Sequence, residues 1–347
     1  MSSMLIPGRA FCLAILSAVV VSSANGAVSG YYRFPTIHGS DVVFTSEGDL
    51  WKASTAGGVA TRLTSHPGAE VMAHFSPDGK WIAFTADYQG NGDVYLIPAE
   101  GGEPKRLTFH PAREEVAGWT PDGSYILFRT RRGGLDSEET IYKISPQGGE
   151  PELLRVGTAS LVSFAPDGNK LLFNRHSWNA NWKRYRGGTA PDVWIGDLTT
   201  GKFAPLIDSD APSMYPMWIG DRVYFVSERD NGMNLFSADL TGKDVRQVTQ
   251  HSDYDVRWPD TDGRKIVYTV GCDLYVFDIA TAKASKLDVT IPSDRIRQRP
   301  RVEDAARALD AYELNDDGKR VVISSRGQVW SAPAKPGGRI IAITDPA

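Results

Sequence analysis

The chain has 347 residues, 41% of them apolar and 23% charged, with a formal net charge of −4. That length allows one large domain or two ordinary ones, and that apolar fraction supplies a sizeable core. Acidic and basic residues are interspersed, which excludes a broad basic face for nucleic acid, and two cysteines are too few for a disulfide framework.

In chain order, the N-terminus stands apart. Arg9 precedes an apolar run from Ala10 to Val21, and small residues follow through Ser22-Ser23-Ala24-Asn25-Gly26-Ala27. This is the pattern of a secretory signal peptide over residues 1–27 and predicts an exported, periplasmic protein. The run of twelve residues is too short to span a bilayer, and no other segment is long and apolar enough to do so. The competing reading is a buried first strand or helix. Cys12 lies inside this segment, which leaves Cys272 alone. Cys272 sits in the apolar run Val270-Gly271-Cys272-Asp273-Leu274-Tyr275 and is expected to be a packed thiol without a catalytic role.

From residue 31 a cassette repeats. Each copy holds an apolar strand, a turn such as Ser76-Pro77-Asp78-Gly79-Lys80, a second apolar strand, a third like Asp93-Val94-Tyr95-Leu96, and a fourth ending Arg106-Leu107-Thr108. The turn glycines are Gly39, Gly79, Gly123, Gly168, Gly220, Gly263 and Gly318, at intervals of 40 to 55 residues. In these turns proline presets φ, aspartate closes a local hydrogen bond and glycine accepts positive φ. The third strands read Asp49-Leu50-Trp51, Asp93-Val94-Tyr95, Thr140-Ile141-Tyr142, Asp192-Val193-Trp194, Asn234-Leu235-Phe236, Asp273-Leu274-Tyr275 and Gln328-Val329-Trp330. Strand periodicity puts the polar and aromatic residues on one face and the aliphatic on the other, both committed to packing. Four strands at this period predict an all-β fold: a six-bladed β-propeller of four-stranded antiparallel blades over residues 31–291. Its units run at about 31–66, 67–110, 111–156, 157–210, 211–251 and 252–291.

The rhythm then breaks. Residues 292–306 (PSDRIRQRPRVEDAA) have the polar composition of a linker, and a seventh unit at 307–347 follows. That unit either closes a seven-bladed ring or begins a second propeller as an incomplete blade. The linker favours the second.

Two stretches depart from the cassette. Arg131 to Glu138 lengthens a loop in the third unit, and His176 to Pro191 (HSWNANWKRYRGGTAP) does so in the fourth. Loops are where such scaffolds place function, because the strands are committed to the core. The fourth-unit loop interleaves Arg175, Lys183, Arg184 and Arg186 with Trp178, Trp182 and Tyr185. Guanidinium groups bind carboxylates in bidentate fashion and the rings beside them add stacking. The cluster therefore suits a peptide carboxylate or an acidic partner surface, or else packs against another domain. His66, His110 and His251 recur at one repeat position, as a structural group does. No metal-ligand spacing, Gly-x-Ser-x-Gly elbow, P-loop or dinucleotide fingerprint occurs, so no catalytic residue, metal or cofactor is expected.

The Ser-Pro-Asp-Gly-Lys turn, the Gly101-Gly102-Glu103-Pro104-Lys105-Arg106-Leu107-Thr108 strand and above all Trp182-Lys183-Arg184-Tyr185-Arg186-Gly187-Gly188-Thr189-Ala190 resemble the N-terminal region of tricorn-type proteases. Arg299-Pro300-Arg301-Val302 resembles that family's crossing into its second propeller. The turn motif alone is shared with TolB-like propellers. The resemblance implies a large, oligomeric serine peptidase whose six- and seven-bladed propellers gate the passage of peptides, with the catalytic residues far downstream of both. It implies peptides, protease domains and sister subunits as partners, no borrowed strand closing the first ring, and a cytoplasmic location as in archaeal members, against the signal-like N-terminus here. The expected function is thus a non-catalytic propeller region of an exported tricorn-like peptidase, truncated or a fragment, since the chain stops within a repeat. The alternative is a stand-alone periplasmic TolB-like propeller that binds proteins.

Overall fold

The computed structural model describes residues 30–133, 138–177, 183–207, 209–230, 232–296 and 305–344. The signal-like segment with Cys12, the stretch 299–302, and Trp178 and Trp182 lie outside the described residues. Two compact units divide at Pro292/Ser293. Seven sheets of four antiparallel strands occupy residues 33–62, 70–106, 114–153, 161–205, 213–247, 256–286 and 309–342. In each, the four strands pair in chain order.

Packing in the first unit is cyclic. Six core clusters of described residues each join two neighbouring sheets. Phe84 and Tyr95 of the second sheet pack on Val43 and Leu50 of the first. The last cluster joins Ile37, Val42 and Phe44 of the first sheet to Val267, Leu274 and Val276 of the sixth. The residue alternation accounts for this. Val42 and Phe44 point one way and Val43 the other, so both faces are apolar and each needs a neighbour. The aliphatic row Leu50, Val94, Ile141, Val193, Leu235 and Leu274 is fully buried, worth about 1.5–3 kcal/mol per side chain. In the aromatic row Trp51, Tyr95 and Phe236 are buried, whereas Tyr142, Trp194 and Tyr275 are half-buried.

The recurring polar residues have local tasks. In the second sheet's turn, Asp78 Oδ1 accepts from Ser76 Oγ (2.6 Å) and from the Lys80 N–H (3.1 Å), while Gly79 adopts φ +71°. The Arg-Leu-Thr ending ties the outer strand to the third. Arg106 reaches Asp93 at 2.8 Å, Leu107 N–H donates to the Val94 carbonyl, and Thr108 Oγ1 accepts from Val94 N–H at 2.9 Å. Arg62, Leu63 and Thr64 repeat the set on Asp49 and Leu50 in the first sheet.

Three expectations change. The ring is not closed by side-chain packing alone: Val289–Thr290 adds a fifth, parallel strand outside Gly57–Arg62. Tyr32 Oη donates to the Val289 carbonyl at 2.7 Å, and Leu287 and Val289 join the seam core. Cys272 is exposed, because Gly271-Cys272 is a two-residue turn between Lys265–Val270 and Asp273–Asp278, and hairpin turns project outward. The seventh cassette forms a sheet with all four strands paired. What it lacks is burial, for every residue of its first strand, Leu309–Leu314, is exposed.

The Asp93 carboxyl has no exposed side-chain surface. Burial lifts its pKa above the ordinary carboxylate range, Arg106 opposes that rise, and Glu114 adds to it. Arg106→Ala leaves a buried carboxylate without its cation, a change expected to destabilise the fold by about 3–5 kcal/mol at neutral pH. A carboxyl whose folded-state pKa is raised favours folding when protonated, so the deficit shrinks as pH falls through that raised value. Urea unfolding at neutral and mildly acidic pH measures this. A deficit independent of pH would show that Asp93 is not its source.

Candidate functional site: the axis and the fourth-unit loop

The innermost strands do not run straight. Those of the first, second, third, fifth and sixth sheets each lose register once against the second strand. At four of these bulges a bulky residue takes positive φ: Phe34 (50°), Met72 (52°), Tyr215 (55°) and Trp258 (49°). Such a backbone costs on the order of 1–3 kcal/mol at each position and persists only where the surroundings over-determine it. Pro35, Pro216 and Pro259 follow three of the four, where the bulge removes the need for a ladder N–H. The third sheet uses Gly118 instead, and the fourth has no bulge.

These strands surround a cavity of ≈ 410 Å³ to which all six contribute. Much of its wall is aromatic. The Phe34 and Trp258 rings lie 4.5 Å apart, and Trp119 Nε1 donates to the His74 carbonyl. His74 Nδ1 stands 3.5 Å from Asp260 Oδ1, linking the second sheet to the sixth across the first. Towards the strand starts it is charged. Arg129 Nε donates to Glu115 Oε2 at 2.9 Å, Arg113 Nε donates to Oε1 at 2.7 Å, and Arg129 lies 3.7 Å from Glu139. Burial pushes the Glu115 carboxyl up, but Arg129 and Arg113 outweigh it and hold the group below its ordinary range. Burial raises the Tyr215 phenol, and Arg129 and Arg257 draw it part of the way back.

The loop residues singled out from sequence separate into two groups. Arg175 stacks on Trp194 at 4.8 Å. That is the fourth-sheet version of a repeated arrangement, for Arg62 covers Trp51, Arg132 covers Tyr142 and Arg229 covers Phe236. Four of the third-strand aromatics, buried and half-buried alike, are thus roofed by cations. Lys183, Arg184, Tyr185 and Arg186 form a strap that reaches two further sheets. Lys183 Nζ meets both Asp255 oxygens at 2.9 and 3.0 Å. The Arg184 N–H donates to Glu228 Oε2 at 2.8 Å, and Arg186 lies 3.8 Å from the same oxygen. Thr189 Oγ1 donates to Tyr185 Oη. Lys183 and Arg186 therefore face carboxylates of this chain, and the Arg184 guanidinium is the exposed cation of the strap without a partner among the described residues. His66 and His110 accept the N–H two residues on through Nδ1, and His251 packs on Tyr268 and Tyr275.

Sequence reasoning passed over the axis. Its signal was present in the Phe-Pro, Tyr-Pro and Trp-Pro pairs inside otherwise regular strands, which place proline where a ladder strand excludes it.

Comparison with known proteins gives this architecture a family. The profile of the tricorn protease N-terminal beta propeller domain matches residues 29–283, and the chain belongs to that family. A tricorn protease homolog of Saccharolobus solfataricus is 30% identical over 328 residues, covering 88% of this chain and 29% of the homolog. The crystal structure of the tricorn protease superimposes with a TM-score of 0.73 at 29% identity, covering 92% of this chain and 32% of that one. The chain thus spans about a third or less of the length of these relatives. Two shorter relatives from Sulfurisphaera tokodaii are named as N-terminal and C-terminal subunits of a tricorn-like protease; the first is 41% identical over 58 residues and the second 34% over 142.

Burial pushes the Asp255 carboxyl up, but its hydrogen bonds from Lys183 and the Met233 N–H outweigh that and hold it below the ordinary value. Lys183→Ala is expected to raise the Asp255 pKa and to cost no more than about 1 kcal/mol, since Lys183 is 47% exposed. A depressed carboxylate stabilises the strap above its unfolded-state pKa and loses that effect as pH falls through the folded-state value. Carbon-detected NMR titration of Asp255 in parent and variant checks the shift, and an unmoved pKa would remove Lys183 as its cause.

Proposed function

We propose that this chain is the non-catalytic propeller portion of a tricorn-type serine peptidase, offering peptides a path along its axis and a platform to the catalytic portion. One observation carries the reading: the bulged innermost strands leave a ≈ 410 Å³ cavity on the axis, a volume that holds a few peptide side chains and is too small for a folded segment. Membership of the tricorn N-terminal propeller family supports the platform role. The relatives named as separate N- and C-terminal subunits support a partnership with protease subunits, whether joined in one chain or not. The strap offers Arg184 to such a partner. Export belongs to the same proposal, resting on Arg9 and the Ala10–Val21 run. The N-terminus of protein recovered from a periplasmic extract, read by mass spectrometry, is expected near residue 28, and an intact Met1 would refute export.

The path is tested on the axis itself. His74→Trp places a larger ring opposite Asp260 without touching the inter-sheet clusters. It is expected to weaken binding of short unstructured peptides roughly tenfold, read by calorimetry, with the β-sheet circular dichroism unchanged. Equal binding by parent and variant would take the path away from the axis.

A further inference from the structure

We propose that the axial cavity selects for positive charge, holding an ammonium or guanidinium group of a peptide against Asp260. The inference rests on the reading of the axis as a peptide path and names what that path prefers.

The carboxylates near the cavity differ in what they already hold. Glu115 is bound by Arg113 and Arg129. Asp262 is occupied by its own turn: Oδ1 accepts from the Arg264 and Lys265 N–H groups at 2.9 and 2.8 Å, and Oδ2 from the Gly39 N–H at 3.1 Å. Asp260 differs. Its side chain is 22% exposed, it lines the cavity, and no described residue donates a hydrogen bond to it; only His74 Nδ1 stands near, at 3.5 Å. A carboxylate held among aromatic walls away from most of the solvent and short of donors is a strong acceptor for a cation.

The walls point the same way. Trp258, Phe34, Trp119 and Trp218 line the cavity together with Asp260, and indole and phenyl faces attract cations through their quadrupoles. Arg33 stacks on Phe34 at 5.5 Å and is not among the lining residues. The one lysine or arginine that lines the cavity, among the described residues, is Arg129, and Glu115 already neutralises it at the charged end. Away from Arg129, the titratable side chains that line the cavity, among the described residues, are Asp260, the turn-bound Asp262, His38, His74 and the Tyr215 phenol, and no lysine or arginine stands beside Asp260. An anionic peptide group entering there meets repulsion from Asp260, and a neutral one leaves the carboxylate unsatisfied.

Four tripeptide amide probes, titrated into the full chain by calorimetry, decide the matter. N-acetyl-Ala-Lys-Ala-amide offers a side-chain ammonium, and Ala-Ala-Ala-amide offers an N-terminal one. N-acetyl-Ala-norleucine-Ala-amide is the uncharged isostere of the first, and N-acetyl-Ala-Glu-Ala-amide is anionic. One or both cationic probes are expected to bind roughly tenfold or more tightly than the norleucine probe, with the glutamate probe weakest. Which of the two binds identifies the source of the charge. Asp260→Asn, near-isosteric, is expected to abolish the preference. Should that variant fail to fold, the parent alone decides, because a charge-selective site loses its preference for a cationic probe as salt rises. Binding of both cationic probes no tighter than the norleucine probe overturns the inference and leaves the peptide path standing, as does a preference that survives in Asp260→Asn. Binding of none of the four by the parent overturns both.

Discussion

Everything in the first unit depends on one constraint: each of its sheets is apolar on both faces. A sheet of that kind is stable only between two others, and a row of such sheets always leaves two bare faces unless it curls until the last meets the first. The junction between the first and sixth sheets is where that requirement is met. The first and last sheets of the unit meet there, and the fold reinforces the seam with a parallel strand at Val289–Thr290 and the Tyr32 hydroxyl on the Val289 carbonyl. The approach is close. At Gly57, with φ +82°, a Cβ would stand 2.6 Å from the Asp288 carbonyl oxygen, so only glycine admits the added strand.

Closing the ring commits the second and third strands wholly to the core and leaves two places free for other work. One is the set of loops at the sheet ends. The other is the axis, where the innermost strands converge with no further layer to cover them. The bulges belong to this second place. They turn Phe34, Tyr215 and Trp258 in a direction regular strands do not allow, at a cost in backbone strain that the six surrounding core clusters make tolerable. The axis also differs in chemistry along its length, with ion pairs around Arg129 towards the strand starts and aromatic rings, His74 and Asp260 over the rest of the cavity.

How much of this was legible in the sequence depended on whether a residue acts locally or across the ring. Turn residues such as Asp78 and Gly79 act within five positions, and their role was readable. The polar–aliphatic–aromatic rhythm of the third strands is a local periodicity, and it gave both the four-stranded cassette and the direction each side chain faces. The fourth-unit loop was harder. Arg175 and Arg184 look alike in a list of cations beside aromatics, yet Arg175 roofs Trp194 and Arg184 lies on a strap fixed by Glu228, more than forty positions away. The His74–Asp260 approach joins residues nearly two hundred positions apart through a bulge in each strand. No pattern in the chain announces it, since a single-residue bulge changes which side chain faces the axis without changing the apolar rhythm. The exposed Cys272 was missed for a related reason: an apolar run suggested burial, and a two-residue turn inside the run decided otherwise.

The seventh sheet separates what a cassette does alone from what the ring does for it. Its pairing is complete, and its turn repeats the local bonds of the others, with Asn315 and Asp317 accepting the N–H groups of Lys319 and Arg320. Its third strand carries the same rhythm, Gln328-Val329-Trp330. Yet Val329 is half-buried where Leu50 and Leu274 are wholly buried, and Tyr312 and Leu314 of its first strand face solvent. Backbone pairing and turn chemistry are thus set within the cassette, whereas burial is set by neighbours. The stability of the six-sheet unit therefore resides at its junctions. A substitution in a turn is felt by one sheet, and a substitution in the aliphatic row is felt by two, because the same side chain fills the space between them.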